Sequence, residues 1–197
     1  MAAGVILVTR ATVFAVAAAA STAPTALACE QLMVAGQAFG AGMGSLGNRA
    51  RLPWRHLGTQ PPVVAPTAIG QALLGAAQVL FSTGAVAAYT SLLPAAPNYI
   101  KYFGRSFFTK YLYFLGYGQP HPGPEPLILD QFVAKGLNSL MGAAGPFIPW
   151  AIPLPARGPW SPAQYGAYLA WAAAEVAAGP LTSAQQVEYR IWLHGKT

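Results

Sequence analysis

Residues 102–116, YFGRSFFTKYLYFLG, set Arg105 and Lys110 in a run of aromatic side chains that begins around Gly104. A turn at Gly104 followed by so apolar a stretch predicts a buried helix from about Arg105, with Ile100–Phe103 closing a preceding helix. Ser106 and Lys110 are four residues apart and share one face of the predicted helix. Fourteen residues after Gly116, the segment LILD ends on Asp130, the only aspartate in the chain. An aspartate there can cap a helix that continues as QFVAKGLNSLM, because its carboxylate accepts from exposed backbone N–H groups. Only 8% of the 197 residues are charged, so a lysine inside an aromatic helix and a lone aspartate close behind it ask for one explanation.

Outward from this centre the pattern stays helical. Eighteen prolines and 21 glycines cut the chain into short segments rich in Ala and Leu, with little strand-like alternation, which predicts an all-α fold. Helices are expected over about 28–40 (ACEQLMVAGQAFG), over about 68–82, where Leu73, Ala76, Ala77, Leu80 and Phe81 recur at helical spacing, and over GAVAAYTSLL. Near the C-terminus, Ser161 caps PAQYGAYLAWAAAEVAAG, and Thr182 or Ser183 caps AQQVEYRIWLHG. The length suits one unit over 1–197, or two lobes, with about 1–27 and the C-terminal helices beside a central 68–145 lobe.

Lys and Arg outnumber Asp and Glu by 11 to 5, a net charge of +6 that invites an anionic partner. The single cysteine, Cys29, excludes an internal disulfide and a multi-cysteine metal site. His56, His121 and His194 lie far apart without ligand spacing, so neither a metal nor an organic cofactor is expected. The N-terminal GVILVTRATVFAVAAAASTAPTALAC has two readings. Its apolar run and Ala26-Leu27-Ala28 resemble a secretory leader, but a basic start is missing and Arg10 interrupts the run. As an internal helix it would be capped by Thr9 and bury Val13, Phe14 and Val16, which fits a cytoplasmic protein. The Gly-rich GAGMGSLG lacks the lysine of a phosphate loop. In GNRARLPWRH, Trp54 stands among Arg49, Arg51, Arg55 and His56, either as a nucleic-acid contact or as a core residue under a solvated loop.

The central residues resemble the helix-hairpin-helix DNA glycosylases, in particular the branch with the 8-oxoguanine glycosylase fold. Ile100-Lys101-Tyr102-Phe103-Gly104 matches that family's Leu-Pro-Gly-hydrophobic-Gly hairpin, with Tyr102 at the first glycine. Leu127-Ile128-Leu129-Asp130-Gln131-Phe132-Val133 resembles its hydrophobic-Asp-x-x-Val segment. The resemblance extends over about 28–197, but the central forty residues carry it. It implies a damaged or modified base flipped out of double-stranded DNA and cut from its sugar by a monomer, with Asp130 as catalytic carboxylate and Lys110 as candidate nucleophile. Counted from Gly104 the family's lysine falls on Ser106; counted back from Asp130 it falls close to Lys110.

The residue types suit that chemistry. Cleaving an N-glycosidic bond builds positive charge on the sugar, which a fixed carboxylate stabilises while it orients or deprotonates the nucleophile. An amine attacking C1′ leaves a Schiff base and must be neutral when it attacks; Phe107, Phe108, Tyr111 and Phe114 favour that form by excluding water. Gly104, Arg105 and Ser106 would hold the DNA backbone at a helix N-terminus. Phe39, Trp54, Gln131 and Trp192 are candidates for the base pocket. Glu175 and Glu188 read as surface or salt-bridge groups on amphipathic helices, and Tyr189 as core. Two other classes stay open: a non-catalytic helix-hairpin-helix DNA-binding module, and an exported protein with a cleaved leader.

Overall fold

A computed structural model describes residues 8–41, 66–144 and 158–196. Among the described residues there are eight helices and no strand, an all-α architecture. They are α1 (Arg10–Thr22), α2 (Ala26–Ala41), α3 (Ala68–Thr83), α4 (Ala85–Ser91), α5 (Arg105–Gly116), α6 (Gln131–Ala144), α7 (Pro162–Ala178) and α8 (Ala184–His194). The predicted starts fall where side-chain acceptors stand: Thr9 caps α1, Ser161 caps α7 and Ser183 caps α8. Val13 is buried as expected, whereas Phe14 and Val16 are only half-buried.

Helix α5 is the axis of the fold. Every residue from Phe108 to Gly116 is buried, and α1, α2, α3 and α4 all pack against it. A helix apolar on all sides belongs in the interior, and each large apolar side chain so buried contributes about 1.5–3 kcal/mol. Edge-on aromatic contacts knit it in: Phe114 meets Phe14 and Phe39 with ring centres 5.0 and 5.3 Å apart, and Phe108 meets Tyr89 at 4.9 Å. Helix α8 packs on α6 and α7, and α7 on α4.

The segment before α5 departs from the predicted helix. Ile100–Phe103 forms a turn closed by the Phe103 N–H donating to the Ile100 carbonyl, with Tyr102 at φ 68°. A residue in the left-handed region interrupts a right-handed helix, so the helix preceding α5 is α4, joined to it by turns over 92–104. The start of α3 is held from outside: the buried Glu30 of α2 accepts from the backbone N–H groups of Thr67 and Gly70 and from the Thr67 hydroxyl.

Candidate active site

Asp130 is delivered by a segment without regular secondary structure whose carbonyls are satisfied one by one. The Tyr165 hydroxyl donates to Leu127 O at 3.0 Å, and that of Tyr168 to Ile128 O at 3.3 Å. Burial pushes both phenols well above their usual 10, so they remain donors. The buried Thr109 hydroxyl lies 3.1 Å from Leu129 O and accepts from the Leu129 N–H at 3.1 Å. Thr109 precedes Lys110 on α5, so this clamp sets the end of LIL beside the lysine and leaves Asp130 to open α6.

Each oxygen of Asp130 has a separate task. Oδ1 accepts from the N–H groups of Phe132 and Val133 at 3.0 and 3.1 Å, the expected helix cap. Oδ2 meets Lys110 Nζ at 3.1 Å, and Nζ also donates to Ser106 O at 3.0 Å. The side chains of Lys110 and Asp130 are 9% and 16% exposed, so the pair is sheltered yet open to a ligand. A methyl group on Gly40 would come 3.1 and 3.2 Å from Lys110 Cδ and Cε, so the lysine stem lies in a berth that a side chain at 40 would crowd.

Both groups face one cavity of about 300 Å³, whose walls include Phe39, Phe132 and Trp192. Its other charged wall is Arg10 with Glu188, joined at 2.8 Å from Nη2 to Oε1, while Arg10 Nη1 donates to the Tyr113 hydroxyl at 2.7 Å. Glu188 is 1% exposed, and among the described residues its Oε2 has no hydrogen-bond partner. Burial pushes its carboxyl above the usual 4.5, an effect that the Arg10 guanidinium opposes. Of the two expectations for Glu188, a salt bridge is what the structure shows and a surface position is not: α8 turns this carboxylate inward. Tyr189 is 51% exposed rather than core, and lies along the rim with its ring stacked on Trp192 at 5.9 Å.

Among the candidate pocket residues, Phe39 and Trp192 line the cavity, Gln131 is half-buried and is not among its walls, and Trp54 lies outside the described residues. Gly104, Arg105 and Ser106 line a second depression of about 390 Å³ with Gly158, Pro159 and Trp160. There, Arg105 Nε donates to Trp160 O at 2.8 Å, which ties part of the guanidinium to the protein itself. Ser106 gives Lys110 a carbonyl acceptor, and Lys110 reaches the aspartate. Sequence reasoning did not place Glu188 or Gly40 at the cavity; the available signal was Glu188 four residues before Trp192 on α8, hence on the same face.

This geometry agrees with a comparison against known families. The family model described as "Putative 8-oxoguanine DNA glycosylase OGG-like protein" matches residues 2–192. The chain belongs to this OGG-like family. No curated protein and no solved structure matches it. The OGG-like match begins before α1 and ends within α8, so it takes in both Arg10 and Glu188 along with the Lys110–Asp130 pair.

Proposed function

We propose that this protein is a DNA glycosylase that extrudes an oxidised purine such as 8-oxoguanine from double-stranded DNA and cleaves its glycosidic bond. The observation that carries the reading is the contact of 3.1 Å between Lys110 Nζ and Asp130 Oδ2, in the wall of a cavity that also offers Phe39 and Trp192. Lys110, having passed its proton to solvent, attacks C1′ with its lone pair. The C1′–N bond breaks towards the base, which takes up a proton as it leaves. The nitrogen then gives up one of its two protons, the sugar ring opens as O4′ takes one up, and the product is a protonated Schiff base, from which loss of a proton at C2′ expels the 3′ phosphate. Asp130, held by two backbone amides, stabilises the cationic sugar as it forms.

The aromatic walls suit a flat base, and the free oxygen of Glu188 is an acceptor for an N–H group on its edge. A net charge of +6 suits a phosphate backbone, and the chain acts as a monomer without metal or organic cofactor in this reading. Residues 1–197 form one unit in which α1 is retained: a chain trimmed after Ala28 would lose Arg10 and leave Glu188 without its cation. Among the described residues no helix is long and apolar enough to cross a membrane. The reading puts the protein in the cytoplasm, with DNA.

Single-turnover base release from duplexes carrying 8-oxoguanine and other lesions, scored by alkaline cleavage, tests this. Asp130→Asn should slow release by about 100-fold or more while DNA binding persists. Borohydride should trap the wild type on DNA and fail to trap Lys110→Gln. Release from none of the lesions refutes the glycosylase and leaves a DNA-binding module; release at the wild-type rate by Asp130→Asn refutes the role of this carboxylate. Equal trapping of Lys110→Gln refutes the nucleophile alone.

A further inference from the structure

Two protons move in the proposed reaction: Lys110 sheds one before it attacks, and the base takes one up as it leaves. Asp130 is badly placed to deliver the second, because Oδ1 accepts from the Phe132 and Val133 N–H groups and Oδ2 meets Lys110 Nζ. Arg10 gives up no proton at all, and Tyr189 and Lys196 are exposed to solvent. Among the described residues of the cavity wall, the titratable group still unused is Glu188. It is 1% exposed, and among the described residues its Oε2 has no hydrogen-bond partner. An acceptor buried without a donor is costly to keep, so this oxygen calls for a group that the folded chain does not supply.

Arg10 decides which oxygen of Glu188 can carry a proton. Its Nη2 donates to Oε1 at 2.8 Å, so a proton reaching the carboxyl goes to Oε2 while Oε1 goes on accepting. When that proton leaves, the guanidinium stabilises the carboxylate left behind. The charged and titratable groups that act on Glu188 are Arg10 on α1, Lys110 and Tyr113 on α5, Asp130 before α6, and Tyr165 and Tyr168 on α7. Burial outweighs Arg10 and raises the proton affinity of Glu188 above that of an ordinary carboxylate, in the direction that suits an acid. We propose that Glu188 is the catalytic acid of base release: Oε2 receives, through water in the cavity, the proton that Lys110 sheds, and hands it to the base as the glycosidic bond breaks. The assignment rests on the glycosylase reading and adds to it the source of the proton. The Lys110 lone pair forms the new C1′–N bond, the electron pair of the old one departs with the base, and the proton on Oε2 neutralises that pair. Glu188 returns to the carboxylate. While ionised, Oε2 accepts an N–H of the base; once protonated, it donates.

The test compares Glu188→Gln with the wild-type full-length chain in two reactions. One is single-turnover base release from the lesion duplex that the wild type cleaves fastest, over a range of enzyme concentrations. The other is borohydride trapping on a duplex with a preformed aldehydic abasic site, where Lys110 acts and no base leaves. Glutamine keeps an acceptor for Arg10 but holds no proton to transfer. It should lower the maximal release rate by about 100-fold, the low end of general acid catalysis, without raising the enzyme concentration that gives half of it. Trapping at the abasic site should proceed at the wild-type rate. Arg10→Met/Glu188→Leu, which leaves no buried charge unpaired, should show the same split between the two reactions and guards against a single variant that fails to fold. Release by Glu188→Gln at the wild-type maximal rate overturns the acid. A loss of both reactions in both variants overturns it too and makes Glu188 a structural wall, and a loss confined to the concentration dependence makes it a recognition contact. If the wild type releases a base and Glu188→Gln matches it, the acid alone fails; if the wild type releases none, the glycosylase reading fails with it.

Discussion

Replacing Arg10 by methionine probes the charged wall of the cavity from the far end of the chain. The substitution keeps most of the stem that packs beside Tyr113 and removes the guanidinium that holds Glu188 at 2.8 Å. Breaking a buried ion pair by removing one partner costs about 3–5 kcal/mol, chiefly because the other charge stays behind. Arg10 is 26% exposed and water reaches that side of the pair, so the lower figure, about 3 kcal/mol, applies. For a chain of this length that is a fall in Tm of about 6–12 °C. The loss should depend on pH in a defined direction. Burial already raises Glu188 above 4.5, and without the guanidinium it rises further, so the folded variant holds a proton that the unfolded chain releases. Stability of Arg10→Met is then retained below about 4.5 and lost as pH rises through the folded value, which makes its deficit small at pH 5 and large at pH 8. Thermal melts at both pH values, repeated on Arg10→Met/Glu188→Leu, complete the assay. The double variant has no stranded charge and should recover most of the Tm at pH 8. A deficit that is the same at both pH values, or a double variant that melts lower than Arg10→Met, would show that the guanidinium does not act through Glu188.

Two further outcomes follow from the packing around the cavity. Asp130→Ala removes the α6 cap and leaves Lys110 with Ser106 O as its described partner, so it should melt lower than Asp130→Asn by about 1 kcal/mol or more, since asparagine caps as well as aspartate; urea unfolding of the two variants compares them directly. Gly136→Ala drives a methyl group into the Ile191 backbone where α6 crosses α8, so it should cost about 1–3 kcal/mol and slow base release by shifting Glu188 and Trp192, checked by melting and single-turnover kinetics.

Much of the helical frame was legible because its signals are local. Thr9, Ser161 and Ser183 mark helix starts by their own chemistry, and the aromatic run after Gly104 could only be an interior helix. Asp130 showed its capping role for the same reason, and its register with Lys110 followed from the family resemblance. What escaped depends on distant partners or on unusual backbone. A carboxylate at position 188 reads as a surface or salt-bridge group, and its partner Arg10, 178 residues earlier, is beyond any local spacing. Arg105 reads as free for DNA until its Nε is found on Trp160 O. The supposed helix over Ile100–Phe103 fails because a tyrosine occupies a conformation that its side chain does not advertise. Gly40 matters through the lysine stem lying against it, which no spacing reveals.

The join between Arg10 and Glu188 ties the first described helix to the last. During synthesis Glu188 follows Arg10 by 178 residues, so the carboxylate that completes this wall is made after α5 and α6. A nascent chain can build the bundle around α5 and bring its lysine to Asp130, yet the cavity stays open on one side until α8 is made. Closure of the cavity is thereby deferred until α8 has joined α1, and a chain stopped before α8 would keep the Lys110–Asp130 pair without the wall that Glu188 supplies.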